Sequence, residues 1–350
     1  MLWKRIGLED FQFPNVLNYT KDYIKIEGEL PIGAELNRTN EDMDNYFNAP
    51  KIQGVGDRFV SFVNKFYNIG IGLSLPPNTK INSPIKVEFN MDNENPIVID
   101  KNIIIAETGS QATIVIDYSS NEEIEAFHNG LTIVYAKENS VINIIKLQRM
   151  NDISRNFDSN IAFVEGQGKV NWISVELGCS ISGSSYYTVL EGEASESNLS
   201  SIYLGDGIRK MDLEYSMIHC GPRSISNIET KGVLKDKSKK VFRGNLDFKK
   251  GARHSKGSEE EYVILLDPTV KSDSIPALLC GEDDVEGEHA ASAGQIDENR
   301  LFYLMSRGLS EREAKKLIVE ASFRPIIDKI PLKDLRELIS SEVERRIIDA

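Results

Sequence analysis

Between residues 69 and 280 the chain is a succession of short β-prone runs with almost no helical periodicity to interrupt them. The runs include "IGIGLSLP", "PIKVEFN", "NIIIAE", "ATIVIDY", "GLTIVYA", "SVINIIKLQ", "KVNWISVEL" and "NLSSIYLG". They are rich in Ile, Val, Thr and Tyr, which fit a pleated surface, and Gly, Asn, Asp and Ser punctuate them. Two architectures accommodate many short strands without helices: a sandwich or barrel, and a solenoid whose coils stack on one another. Some runs are apolar at consecutive positions and others alternate, so period alone does not choose. Length and repetition favour the solenoid. The β region is about twice the size of an ordinary sandwich. The phrases "ETGSQATIVIDY", "AKENSVINIIKL" and "VEGQGKVNWISV" each read as a polar turn followed by a strand. They start near Glu107, Lys137 and Glu165, roughly 30 residues apart, which is within the range of solenoid units.

The flanks have different textures. Residues 1–68 are mixed, with short helices expected in "NEDMDNYFNAPKI" and "GDRFVSFVNKFYN", and read as a cap or arm. From Gln295 the chain turns helical. "IDENRLFYLMSRG" spaces Leu301, Leu304 and Met305 as on a helix, with Gly308 as its stop. "LSEREAKKLIVEASFRPIID" opens with Ser310 and Glu313 in a capping-box pattern. "PLKDLRELISSEVERRIID" carries Leu335, Leu338, Ile339 and Val343 as an apolar stripe. The resulting division is an N-terminal segment (1–68), a β core (69–294) and a C-terminal helical subdomain (295–350).

Composition narrows the function classes. A net charge of −13 argues against a general nucleic-acid binder, which needs a basic surface. No apolar run is long enough to cross a bilayer, and the first residues lack a secretory signal, so a cytoplasmic location is expected. The three cysteines, Cys179, Cys220 and Cys280, form no CxxC pair, which speaks against a structural zinc site and a disulfide framework. P-loop, GxSxG and HExxH patterns are absent. "KGSEEEY" reads as an acidic surface turn, and "LKDKSKKVFRG" as a solvated basic loop.

The segment from 231 to 323 carries a specific series of phrases: "FRG", "LLDPTVKSDSIP", "DDVEGEHAAS", "FYLMSRG" and "AKKLIVEASF". In order and spacing it resembles the SufB/SufD family of iron–sulfur cluster assembly proteins. The resemblance implies a right-handed parallel β-helix flanked by helical parts. It also implies pairing through the β-helix, with a SufB-like paralogue or with itself, and docking of a SufC-like ABC ATPase on the C-terminal helices. The implied cargo is a transient iron–sulfur cluster on the assembled complex, with none held permanently by this chain alone. SufB-like chains carry a glutamate after the histidine of this segment and a cysteine in the turn after the "LL" strand. Here Ala290 follows His289, and the turn reads Val270-Lys271-Ser272-Asp273-Ser274. The chain is therefore most similar to SufD, although Gly287 replaces the cysteine of the usual "CxHGAT".

Under that resemblance His289 is the candidate cluster-assembly residue. A neutral imidazole suits iron, and a partner chain would share the site. Glu286 and Glu288 are weaker candidates. On a strand they share one face, and His289 and Gly287 the other. Cys280, at the end of an apolar strand, is a weaker candidate again. His219 and Cys220 are adjacent and would point to opposite faces. Leu301, Phe302, Leu304 and Leu317 are candidate ATPase contacts. The chain is expected to be a non-catalytic scaffold, since the ATPase would reside in the partner. The competing readings are a homo-oligomeric SufB-like scaffold and a β-helical carbohydrate-active enzyme.

Overall fold

The computed structural model describes residues 3–8, 10–26, 29–38 and 54–348. Helix α1 (Trp3–Ile6), strands β1 (Ile24–Ile26) and β2 (Glu35–Arg38), and helix α2 (Asp57–Phe66) come first. The short helix expected over 40–52 lies outside the described residues. Strands then follow almost without interruption: β3 (Ile71–Leu75), β4 (Ile85–Met91), β5 (Ile97–Ala106), β6 (Gln111–Ser120), β7 (Phe127–Ala136), β8 (Val141–Arg149), β9 (Arg155–Val164) and β10 (Lys169–Glu176). The second half continues with β11 (Ile181–Leu190), β12 (Glu196–Gly205), β13 (Lys210–His219), β14 (Ile225–Leu234), β15 (Lys239–Phe248), β16 (Ser255–Leu265), β17 (Lys271–Ser274), β18 (Ala277–Cys280) and β19 (Val285–Gln295). Helices α3 (Glu298–Ser306), α4 (Glu311–Ile327) and α5 (Lys333–Ile348) close the chain.

From β3 onward, successive strands alternate between two sheets. One sheet is ordered β1-β4-β6-β8-β10-β12-β14-β16-β19 and the other β2-β3-β5-β7-β9-β11-β13-β15-β17, with β18 also on β15. Within each sheet every coil lies parallel on the one before it. This is the expected mainly β solenoid. The turns at Glu107, Lys137 and Glu165 are its corners: Ser110, Ser140 and Gly168 donate their backbone N–H back to those three carbonyls. One residue per corner is left-handed, in the series Asn78, Gly109, Asn139, Gln167, Ala194, Arg223 and His254. Gly and Asn suit that conformation. The other residues hold it because each donates its backbone N–H to the next coil, Gln167 to Glu193 O and Ala194 to Pro222 O, both at 2.9 Å.

The inner face carries stacked columns of one residue per coil. One column in the first sheet runs Ile114, Ile144, Trp172, Leu199 and Ile228, all buried. The outer faces are covered by helices. Val319, Phe323, Ile326, Ile339 and Val343 of α4 and α5 pack on Ile145, Val175, Ile202 and Val233 of the first sheet. The capping box of Ser310 and Glu313 forms as expected, and Gly308 sits at φ 100 beyond the end of α3. Phe59 and Val63 of α2, with Phe11 of the N-terminal segment, pack on Phe127, Leu131 and Phe157 of the second sheet.

The two ends of the solenoid differ. At its start β1 and β2 pair antiparallel with β4 and β3, so the N-terminal segment caps both sheets. At the other end β19 and β17 terminate the strand order. Two sequence expectations fail near this end. "KGSEEEY" is part of β16, and Glu259 and Glu261 point into the solenoid because strand alternation turns every second residue inward. "LKDKSKKVFRG" is a tight corner leading into β15, and its Lys235 and Lys240 are buried.

Candidate functional site

The open end is built from the last turn. β19 lies on β16 with Gly287 over Gly257, His289 over Glu259 and Ala291 over Glu261. A side chain at Gly287 would meet Leu278 and Phe248, so this parity faces inward. His289 therefore shares the inward face, and Glu286 and Glu288 the outward one, as the alternation predicts. With no coil above it, His289 is exposed. Glu286 is engaged at 2.8 Å by the Lys256 ammonium, and Glu288 is exposed. The strand runs on past His289. The small residues Ala290, Ala291, Ser292, Ala293 and Gly294 continue it to Gln295.

Cys280 closes β18 as expected and is exposed. It stacks on the inward-facing Phe248. Gly287 lies between the Leu278 column and the Phe248 column that carries Cys280, so Cys280 and His289 stand on facing strands one to two same-face steps apart, about 7–13 Å along the strands. Among the described residues no three His, Cys, Asp or Glu side chains converge as a metal cluster. Cys179 is buried, and desolvation pushes its thiol well above the usual range. Burial also raises the half-buried Cys220. His219 is buried between the Ser224 and Ser226 hydroxyls at 2.7 and 2.8 Å and stacks on Phe248, while Cys220 follows the end of the strand.

Below His289 lies a group of ionisable residues that the sequence did not reveal. Lys240 donates to Glu261 Oε1 at 2.7 Å and to Ser274 Oγ at 3.0 Å, and the Tyr203 hydroxyl donates to Glu261 Oε1 at 2.8 Å. Glu261 is thereby satisfied. Glu259 is 2% exposed, and neither of its carboxylate oxygens has a hydrogen-bond partner. Desolvation, reinforced by the charge of Glu261, pushes its carboxyl up to about 7. The alternation of "GSEEEY" was the available signal: its first and third glutamates share a face, and on a solenoid strand one face is interior.

A groove of about 430 Å³ lies elsewhere, on the outer face of the first sheet beside Lys329. It is floored by a row in which Asn171 donates to Asn143 and Asn198 to Asn171, at 2.8 and 3.0 Å. These amides satisfy one another, and the groove shares none of the residues of the open end.

On α3, Phe302, Tyr303 and Met305 are 74%, 57% and 41% exposed, and Leu317 on α4 is 45% exposed. Leu301 and Leu304 are half-buried. Four large, mostly apolar side chains on two neighbouring helices are thus left exposed, and exposed apolar surface of this kind can mark interaction sites.

Comparison with known proteins agrees with this geometry. The family model described as "SUF system FeS cluster assembly, SufBD core domain" matches residues 89–322. An iron–sulfur cluster assembly SufBD family protein of Staphylococcus epidermidis is 26% identical over 315 residues, covering 89% of this chain and 68% of its own length. Similarly named proteins of Staphylococcus haemolyticus and Staphylococcus aureus are also 26% identical, covering 89% and 88% of this chain and 68% and 67% of theirs.

Proposed function

The chain belongs to the SufBD family of the SUF iron–sulfur cluster assembly system, and from that membership we propose that it is a SufD-like, non-catalytic scaffold subunit. It pairs at the open end of its solenoid with a SufB-like chain and carries a SufC-like ABC ATPase on its C-terminal helices. The cargo is an iron–sulfur cluster assembled transiently on the complex.

The observation that carries this reading is His289. It is an exposed imidazole on the inward face of an edge strand that ends its sheet. Iron needs several ligands, and this chain brings no three candidate side chains together among its described residues. A shared site explains a lone histidine placed where a second chain can approach. Ala290 after His289, and a segment 270–274 without the cysteine that SufB-like chains carry there, favour the SufD-like role over the homo-oligomeric one. A self-pair would use the same edge strand, and the partner recovered decides between them.

The exposed apolar side chains of α3 and α4 support the ATPase contact. Deleting the helical subdomain would also uncover Ile145, Val175 and Ile202 on the first sheet, so point substitutions are the cleaner test. Phe302→Asp with Leu317→Asp should abolish co-purification of a SufC-like ATPase while the far-ultraviolet β signal persists. Undiminished ATPase binding would place the contact elsewhere. His289→Ala should leave ATPase binding intact but reduce iron and sulfide in the complex after anaerobic co-expression with a SufB-like chain. Normal loading would make His289 a structural residue.

A further inference from the structure

We propose that Glu259 is a second ligand beside His289, and that the two form a seat for one divalent iron ion at the open end of the solenoid. The inference deepens the scaffold reading and rests on it for the identity of the metal.

Its first support is the column on which both residues lie. In five successive coils this inward position is Ile114, Ile144, Trp172, Leu199 and Ile228. Coil stacking calls for another apolar residue next, and the chain supplies Glu259 and then His289. The change from apolar to ionisable comes only in the last two coils, where the column meets solvent.

The second support is the state of the carboxylate. Glu259 is 98% buried by difference from its 2% exposure, and both its oxygens lack a hydrogen-bond partner. The neighbouring cation, Lys240, is committed to Glu261 and Ser274. An unpaired buried carboxylate is costly, and proteins that keep one generally offset it with a cation. Its carboxyl lies against Gly244 of the facing sheet, where a side chain would meet the carboxyl carbon at 2.6 Å.

The third support is register. Glu259 and His289 are direct partners in a parallel pair, so their backbones are one strand spacing apart, about 4.8 Å, and their side chains leave on the same face. One carboxylate and one imidazole on adjacent coils suit a borderline divalent ion such as Fe²⁺, with water or a partner chain completing the shell. Cys280 lies on the facing strand, off the column that Glu259 and His289 share, so the seat as proposed takes iron through oxygen and nitrogen.

The test uses the full chain without a partner. Anaerobic equilibrium dialysis against Fe²⁺ should show one ion bound per chain, and Glu259→Gln and His289→Ala should each weaken binding roughly tenfold or more. Glu259→Gln keeps the shape and removes a buried charge, so its thermal midpoint should not fall, and an equal or higher midpoint certifies the variant as folded. With Co²⁺ as the probe, the visible spectrum should show d–d bands without a thiolate charge-transfer band. Unchanged Fe²⁺ affinity in folded Glu259→Gln, or a thiolate band, overturns the seat. Failure of the scaffold reading is separate: an intact seat in a complex that loads clusters equally well with His289→Ala would leave the metal site standing and remove its assembly role.

Discussion

Lys240 and Glu261 meet inside the solenoid at 2.7 Å, with both side chains fully buried, one turn below the open end. Ser274 from the last turn bonds to both, and Tyr203 from two coils earlier bonds to Glu261. The pair therefore ties three successive coils together. Removing one partner leaves the other charge uncompensated, so Lys240→Ala should lower unfolding free energy by about 3–5 kcal/mol. Replacing both partners, Lys240→Met with Glu261→Leu, should cost much less. Urea denaturation followed by tryptophan fluorescence measures both. An equal loss in the double variant would mean that packing, not charge, governs the site.

His219 makes stability depend on pH. Burial lowers its imidazole to about 4, from an ordinary value near 6.5. The folded chain therefore binds this proton less readily than the unfolded chain. Between those two values the unfolded state takes up the proton, so stability is full above about 6.5 and is lost as pH falls toward 4. At pH 5 the loss from this group should be on the order of 1–2 kcal/mol. His219→Gln should flatten the dependence of the thermal midpoint on pH between 7 and 5. An unchanged slope would assign it to other groups.

Phe323 is fully buried where α4 meets the first sheet. Phe323→Ala should cost about 3–5 kcal/mol. The loss should fall first on the helices, since the inner columns do not use this side chain. Limited proteolysis should cut within α4 and α5 while the β body survives. Cleavage distributed evenly over the chain would show that helices and solenoid unfold together.

Glycine at one corner is required by closeness rather than by backbone twist. A side chain at Gly192 would lie 2.0 Å from Gly166 N, and one at Gly221 would lie 2.2 Å from Gly192 O. Gly192→Ala must push two coils apart and should destabilise by about 1–3 kcal/mol. Gly294→Ala, with nothing within 4 Å, should change stability by less than about 0.5 kcal/mol. Comparable losses at the two positions would refute the close-packing account.

The solenoid was legible because its corners repeat: Glu107, Lys137 and Glu165 mark corners in the sequence and in the structure. The helical end was legible through Ser310, Glu313 and the stripe from Leu335 to Val343, which are local signals. Glu259, Glu261 and Lys240 were not legible. A run of three glutamates reads as solvent-facing, and only stacking on residues about one coil away turns two of them inward. The small-residue half of β19 carries no β signal of its own for a related reason: small residues have little β preference, and their strand is specified by its neighbour β16. His289 itself was found through resemblance, and its setting above Glu259 through register.

The unequal ends of the solenoid limit how far assembly can go. A stack of parallel coils is a template that a second stack could extend head to tail, and repetition of that contact would make a fibre. Here β1 and β2, only three and four residues long, lie antiparallel across the starting edges. They offer an incoming β19, with its eleven residues, neither the length nor the direction for a continuous parallel ladder. The starting end is a poor template for that contact, while β19 presents a long edge at the other. Edge-to-edge association of this chain should therefore stop at a closed pair.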